Sequence, residues 1–567
     1  MGDRLFKLAE RLNWLVLVDR EAKTDEAVYA FFHPTFQEYF AACAINHWDF
    51  FLNHVPHNPI QGTYRIFEPQ WKEVYLLWLG REALAKEQKE ALIKTLVDFE
   101  DGWESFYPDR AHFLAAVGIA EFRECNQSDV IVGVLVAFGF GYFNKEQQER
   151  VTLLYPIAET AREVLTETDN ERAIAFLITQ LETPINDYIR SLVAESLGKI
   201  GTGNQAAIKT LLRLMHPNQT EFTRRQAAFS LGQIQPGNKT AIATLVELIQ
   251  TTQYEVICRD VAEKLGKIDP GNKIAITTLV KLIETTQDEE NRRLAAFSLG
   301  KIGMGNQTAI DTLVRLIQTS QEPETCGKAV LSLEKIDTGN EKVITFLVQL
   351  IQSTQNEFTR WQVADILGQI DSAKERAIAF LSDLLETTQN ENICQKAASS
   401  LGTIDPKNQK AIDALSQVIH TSQDEDIRWK AASSLGAIDP KNQTALTAIV
   451  QLLQSCEDET KLWEKALILG QVDPANETAT AALIKLIQTA HDEYSSRLAA
   501  LSLREVLQGN QFTKVVKDLK GCLTHQLYEN NFRLYEYCYE VIWHCAQNMP
   551  YPDFYQAWAP DDYSVEG

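Results

Sequence analysis

The stretch RRLAAFSLGKI, running from Arg292 to Ile302, decides how this chain is read. Its Leu299-Gly300 pair stands 34 residues after Leu265-Gly266, which follows Leu231-Gly232 and Leu197-Gly198 at the same step. Toward the C-terminus the pair returns at Leu367-Gly368, Leu401-Gly402, Leu435-Gly436 and Leu469-Gly470. At Leu333 and Leu503 the leucine stays while Glu334 and Arg504 replace the glycine. Ten copies in one register, with no insertion, are the signature of a repeat array whose units bury their apolar faces only by stacking on neighbours.

Each copy reads as two helices. The first carries Ile242, Leu245, Leu248 and Ile249, repeated as Ile276, Leu279, Leu282 and Ile283, a spacing that makes one apolar stripe. The second carries Ala228, Leu231 and Ile234, repeated as Ala262, Leu265 and Ile268. The alanine column, broken only by Val330, lets two helices approach closely, and the glycine after the leucine serves the same end at about 1 kcal/mol of helix propensity. Pro270, Pro406, Pro440 and Pro474 each follow an aspartate and stop the second helix. Asparagines at 204, 238, 272, 306, 340, 408, 442, 476 and 510 precede the next helix as N-caps. Glutamates at 221, 255, 289, 357, 391, 425, 459 and 493 open the second helix, at the positive end of its dipole.

The expected fold class is therefore all-α, an α-solenoid spanning 171–507 with helical caps at both ends. The phrasing of the repeats resembles the HEAT-like repeats first named from phycobilisome lyases. Working outward, 51–170 reads as an irregular helical region: Trp71, Val74, Tyr75, Trp78 and Leu79 share one face, and Phe113, Leu114, Val117 and a run from Val130 to Phe143 suggest further buried helices. Segment 508–567 breaks the period, with a helix from Asn531 to Met549 and an aromatic tail of Tyr551, Phe554, Tyr555 and Trp558.

Both ends carry a second resemblance. Tyr29 to Ala42 reads YAFFHPTFQEYFAA, and it is similar to the end of the winged-helix part of NACHT-type signalling ATPases, the STAND group that includes the NLR receptors. In that family the histidine of the motif lies near the phosphates of bound ADP and helps hold the closed state; His33 matches it, and 1–50 reads as this remnant. The stretch CYEVIWHCAQNMPYPDFYQAW, from Cys538 to Trp558, resembles the C-terminal cysteine- and histidine-containing domain of cyanobacterial NACHT proteins. The ATPase core has no counterpart here: no Gly-x4-Gly-Lys-Ser/Thr occurs in the chain, and Gly198-Lys199, Gly266-Lys267 and Gly300-Lys301 are each followed by isoleucine.

Bulk properties narrow the function. The 567 residues carry a formal net charge of −23, which repels phosphate backbones and anionic lipids, so neither nucleic acid nor membrane is an expected partner. No apolar run approaches the roughly 18 residues a bilayer span requires. The opening Met1-Gly-Asp-Arg lacks the regions of a signal peptide, and nine scattered cysteines read as reduced thiols of a cytoplasm. No Gly-x-Ser-x-Gly, His-Glu-x2-His or His-Glu dipeptide appears, and no histidine recurs in a repeat column, so no catalytic residue and no cofactor is expected.

Two sets of residues remain as candidates. Cys522 and His525 have metal-ligand spacing, with Cys538, His544 and Cys545 downstream; Cys538 and Cys545, seven apart on one helix, lie about 10 Å apart by helix rise and do not share an ion, so no metal is expected. One column of the second helices holds Arg225, Arg259 and Arg293 early in the array and Trp361, Trp429 and Trp463 late, both favoured residue types at binding hot spots. An aromatic ridge about 30 Å long would mark a protein-docking surface, while indoles packed between repeats would be core. The neighbouring column, Arg190, Arg224, Arg292, Arg360 and Arg428, reads as an ion-pair ladder, with acids three positions before Arg224, Arg292, Arg360 and Arg428.

The expected function is a non-catalytic scaffold that binds a protein ligand, the sensor half of a bacterial NACHT-type signalling or antiphage defence protein with an upstream ATPase module. A bilin lyase or phycobilisome-associated chaperone, and a free-standing assembly scaffold, are the alternatives.

Overall fold

Asparagine sets the rhythm of the array. In the computed structural model, which describes residues 15–20, 27–31, 33–56, 58–101, 106–144, 146, 148–319, 323–336, 341–474 and 476–559, the Oδ1 of Asn238 accepts from the amides of Thr240 and Ala241, and helix Lys239–Thr251 follows. Asn204, Asn272, Asn442 and Asn476 each cap two amides in the same way, and Asn306 and Asn408 cap one. Each such cap is worth about 1 kcal/mol. Asn510 differs: it stands before helix Gln511–Leu519 without a side-chain cap. Asn340 and the side chains of Cys326, Val330 and Glu334 lie outside the described residues.

The chain divides into two compact units, 190–541 and 1–189 with 542–567. The first is the repeat array. Its helices alternate as read from the sequence, for example Lys239–Thr251 then Glu255–Ile268, and Lys273–Thr285 then Glu289–Ile302. No strand occurs among its described residues. Ala228, Leu231, Ala262, Leu265, Ala296 and Leu299 are fully buried, each leucine contributing about 1.5–3 kcal/mol. Glycine closes the distance between repeats: a Cβ at Gly232 would stand 2.6 Å from Cδ1 and 2.8 Å from Cβ of Ile268 in the next second helix, and Gly266 meets Ile302 alike.

Polar ladders cross the same junctions. The glutamate opening a second helix accepts from the next repeat: Glu255 from Thr286 Oγ1 at 2.6 Å, Glu357 from Thr388 Oγ1 at 2.8 Å, Glu425 from Lys465 Nζ at 2.7 Å. The Arg224 column forms ion pairs, with acids for Arg224 and Arg360 that come from a different helix than the one expected. Arg224 pairs with Glu247 and Arg360 with Asp383, both on the first helix of the following repeat, at 2.8 Å. Arg292 pairs three residues back, with Glu289. Arg224, Arg292 and Arg428 also donate to carbonyls at or just beyond the end of the preceding helix, namely Met215, Ile283 and Ser422.

The second unit is built from aromatic side chains. Helix Lys72–Leu79 buries Val74, Tyr75, Trp78 and Leu79, the face expected from the sequence. Phe67, Phe99 and Tyr107 surround Tyr551, with ring centroids 4.7–6.3 Å from it. The Tyr107 hydroxyl donates to the Met549 carbonyl at 2.8 Å, and Arg110 bonds the carbonyls of Phe67 and Ala546. These contacts place residues 542–559 in one unit with the N-terminal region, a division unlike the single 508–567 cap expected from the loss of period.

Strands enter this otherwise helical unit twice. Leu15–Arg20 pairs antiparallel with Ala27–Phe31. The apolar run read as helix through Phe143 stops at Phe140; Gly141 turns the chain at φ 74°, and Tyr142–Asn144 pairs with Glu149–Val151. A Cβ at Gly141 would lie 2.5 Å from the Val151 carbonyl oxygen, so the turn requires glycine on both counts. Among the described residues no helix is long and apolar enough to cross a membrane.

Candidate functional site

The tryptophan column does not form an exposed ridge. Trp429 is only 6% exposed, and Trp361 and Trp463 are half-buried. The residue ahead in the stack explains this for Trp361, whose indole leans over the next repeat so that its Nε1 donates to Ser400 Oγ at 3.0 Å. The Nε1 of Trp463 is buried and has no hydrogen-bond partner. The ridge is replaced by a groove of about 370 Å³ on the same face.

Four consecutive second helices build that groove: Glu357–Gly368, Glu391–Ile404, Glu425–Ile438 and Glu459–Val472. The two middle helices both carry alanine and serine where long side chains would fill the space, as ALA-ALA-SER-SER runs from Ala397 to Ser400 and from Ala431 to Ser434. Trp361 and Trp429 line the groove with Ser399, Ser400, Ser433 and Ser434. The Ser434 hydroxyl donates to Ser399 Oγ at 2.9 Å, tying two repeats together.

Charge is ordered along the groove. Asp365, Lys396, Lys430 and Glu464 line it, one from each successive helix. Lys396 Nζ lies 4.4 Å from the Trp361 ring centroid, a cation–π contact. Burial pushes the Lys396 ammonium down from its ordinary pKa and the neighbouring Lys430 adds to this, against the pull of Asp365. Sequence reasoning missed both lysines. The repetition Lys396 to Lys430 at 34 residues, beside the serine runs, was the available signal.

Of the early arginines, Arg225 and Arg293 make contacts within the array. Arg225 Nε contacts Asp260 Oδ2 at 3.1 Å and its guanidinium stacks on Phe222. Arg293 pairs with Glu290. Arg259 is half-buried, its Nε without a hydrogen-bond partner. A larger depression of about 630 Å³ lies among the first helices near Gln443 and Gln451. Arg428 and His420 are its ionisable lining, and Arg428 is already bound to the Ser422 carbonyl. The tryptophan groove, with two cations that form no ion pair among the described residues, offers more for a ligand to recognise.

His33 is the N-cap of helix Pro34–Ala44, directly after strand Ala27–Phe31 and the undescribed Phe32. Its Nδ1 accepts from the Thr35 amide at 3.3 Å, and the side chain is exposed. Of the cysteine and histidine candidates, Cys522 and Cys538 come together. Cys522 and Cys538 share a hydrogen bond between their sulfurs, which with the Gln488 amide draws the Cys522 thiol down to about 6 against the opposing effect of burial. His525 is exposed and faces Glu529 at 3.5 Å. Cys545 is fully buried, its thiol pushed well up by burial, and His544 is half-buried. Among the described residues no group of three such side chains is placed to hold a metal ion.

Comparison with known proteins gives the array and the tail their families. Seven overlapping matches to HEAT repeats run from residue 156 to residue 504, and residues 531–559 match the domain described as NACHT C-terminal Cysteine and Histidine-containing. No curated protein matches the chain. Among solved structures it is similar to a homology model of the full-length AP-3 complex in an intermediate open conformation, at 15% identity over 82% of this chain and 92% of that one, with a TM-score of 0.32. It is also similar to the karyopherin Kap121p bound to the extreme C-terminus of the protein phosphatase Cdc14p, at 12% identity over 85% of this chain and 62% of that one, with a TM-score of 0.34. Likenesses this low carry no argument about fold or function. With HEAT repeats matched over well more than half its length, the chain belongs to the HEAT repeat family, and it ends in the cysteine- and histidine-containing domain of NACHT proteins.

Proposed function

We propose that this chain is the non-catalytic sensor of a NACHT-type signalling system in bacterial antiphage defence, binding a protein ligand on the second helices of its later repeats. One observation carries the reading: a domain typical of NACHT C-termini, at 531–559, lies on the C-terminal side of a repeat array matched to residue 504. Arrays of this kind present long repeated surfaces suited to protein partners. The groove across four second helices, with its aromatic lining and two lysines, is the surface assigned to that partner. His33, at the start of helix Pro34–Ala44, is the residue that would reach the nucleotide phosphates of a neighbouring ATPase module. The chain itself supplies no phosphate-cradling loop, so energy coupling belongs to that module, and the cytoplasm is the compartment where nucleotide is available to it.

The test is made in cells. The chain joined to a NACHT ATPase module is expected to lower the plating efficiency of a phage it detects. The pair Lys396→Gln and Lys430→Gln is expected to remove that protection while the melting temperature holds. Equal protection by parent and variant would refute the assignment of the sensing surface.

A further inference from the structure

In an acidic chain, two adjacent lysines that form no ion pair among the described residues are the feature to explain. The protein has 54 lysines and arginines against 77 aspartates and glutamates, and lysines elsewhere on these second helices are paired. Lys461 meets Asp426 at 3.1 Å, and Lys465 meets Glu425 at 2.7 Å while only 3% exposed. Lys396 and Lys430 have no ion-pair partner among the described residues, although a half-buried ammonium beside a second one is an unfavourable arrangement in the absence of an anion.

Resting on the reading of the groove as a partner surface, we propose that it binds a short extended peptide segment of a protein, with two carboxylates seated on Lys396 and Lys430 and no acidic residue at either end. The order of charge along the groove selects this ligand. Asp365 and Glu464 bracket the two lysines, so the groove reads minus, plus, plus, minus over four repeats. A long polyanion would lay charge against both flanking acids; a compact acidic pair would not. The repeats stack about 10 Å apart, so the four residues span roughly 30 Å, the length of about nine extended residues. Carboxylates two residues apart on an extended chain point the same way and stand about 7 Å apart, within reach of two flexible ammonium groups on neighbouring helices. The hydroxyls of Ser399 and Ser433, which line the groove between the lysines, are placed to meet the peptide backbone.

The experiment titrates the full chain with a capped nine-residue peptide bearing glutamates at its fourth and sixth positions and lysines at both ends, reading tryptophan fluorescence. Binding with a dissociation constant below about 1 mM at low salt is expected, weakening as ionic strength rises. Lys430→Gln, at an exposed position, and Lys396→Gln/Lys430→Gln are expected to weaken it at least tenfold together with no loss of thermal stability. The glutamine version of the peptide is expected not to bind. Hexaglutamate and an oligothymidylate are expected to bind more weakly than the probe, and Asp365→Asn/Glu464→Gln is expected to reverse that order. No binding of the probe, binding unchanged by both lysine substitutions, equal binding of the glutamine peptide, or tighter binding of the polyanions would each overturn the proposal. If the peptide fails while the lysine variants still lose phage protection, the ligand chemistry is wrong and the sensor surface stands; if both fail, both are wrong.

Discussion

Replacing Gly232 by alanine sets two known effects against each other, and the structure decides the winner. In a helix interior alanine gains about 1 kcal/mol over glycine. Here the new methyl would stand 2.6, 2.7 and 2.8 Å from Cδ1, Cγ2 and Cβ of Ile268. The last of these atoms is tied to the backbone of helix Glu255–Ile268, so a rotamer change does not clear it. Overpacking of this kind costs about 1–3 kcal/mol, and a contact fixed to backbone belongs at the upper end. The net expectation is a loss of about 2 kcal/mol, or about 3 °C for an array of this size unfolding as a unit. Gly237→Ala is the control: that residue has φ 77° and nothing within 4 Å of the added carbon, so it costs only the left-handed conformation, about 1 kcal/mol. Urea and thermal melts followed by circular dichroism measure both, and hydrogen exchange localises the loss to the junction of the two repeats. A cycle with Ile268→Ala should show coupling of about 1 kcal/mol, since the double variant relieves part of the clash. A Gly232→Ala protein as stable as its parent, or a strictly additive cycle, refutes the close-approach account.

Three further outcomes are expected. Trp429→Ala should destabilise by about 3 kcal/mol because the indole is buried, and Trp361→Ala by less because its ring is half-buried; an unchanged melt for Trp429→Ala would return that side chain to the surface. Glu263 is held at about 2, since bonds from Lys267, Ser298 and Lys301 outweigh the burial that would raise it. Its folded value lies below the ordinary 4.5, so its contribution is present above that value and is lost as the pH falls toward 2. The melting temperatures of parent and Glu263→Gln should therefore differ at pH 7 and converge in acid, and a constant gap would show that no linked proton exists. The Cys522 thiol should be half-ionised near pH 6, so its alkylation by iodoacetamide should titrate there, and Cys538→Ala should move the midpoint toward the ordinary thiol value; a midpoint near 9 in the parent contradicts the sulfur–sulfur bond.

The array was legible because its causes are local and repeated. A cap, a stop and an apolar stripe each depend on residues within a few positions, and the 34-residue spacing repeated them along the array. Asn238 caps the helix it precedes, and Leu231 is buried, as their places in the pattern required. Even the purpose of the glycine column was readable, because a residue that costs helix propensity and yet recurs in eight of the ten copies has to serve packing. Distances between repeats were not readable. Whether an indole lies on a surface or over a neighbour depends on what the next helix offers 39 residues on, and Ser400 is the answer for Trp361. The partners of Arg224 and Arg360 were missed for the same reason: Glu247 and Asp383 become neighbours only when the next first helix is stacked in place. The lysine pair needed the same step, since a lysine is unremarkable in a sequence until stacking sets it beside a second one in a groove. Sequence by itself determined the helices, their caps and the order of the repeats, all set by short-range hydrogen bonding and periodic burial. Only the tertiary structure decided which columns face each other across a junction, because that is set by helix separation and side-chain volume, and with it the placement of the charged groove.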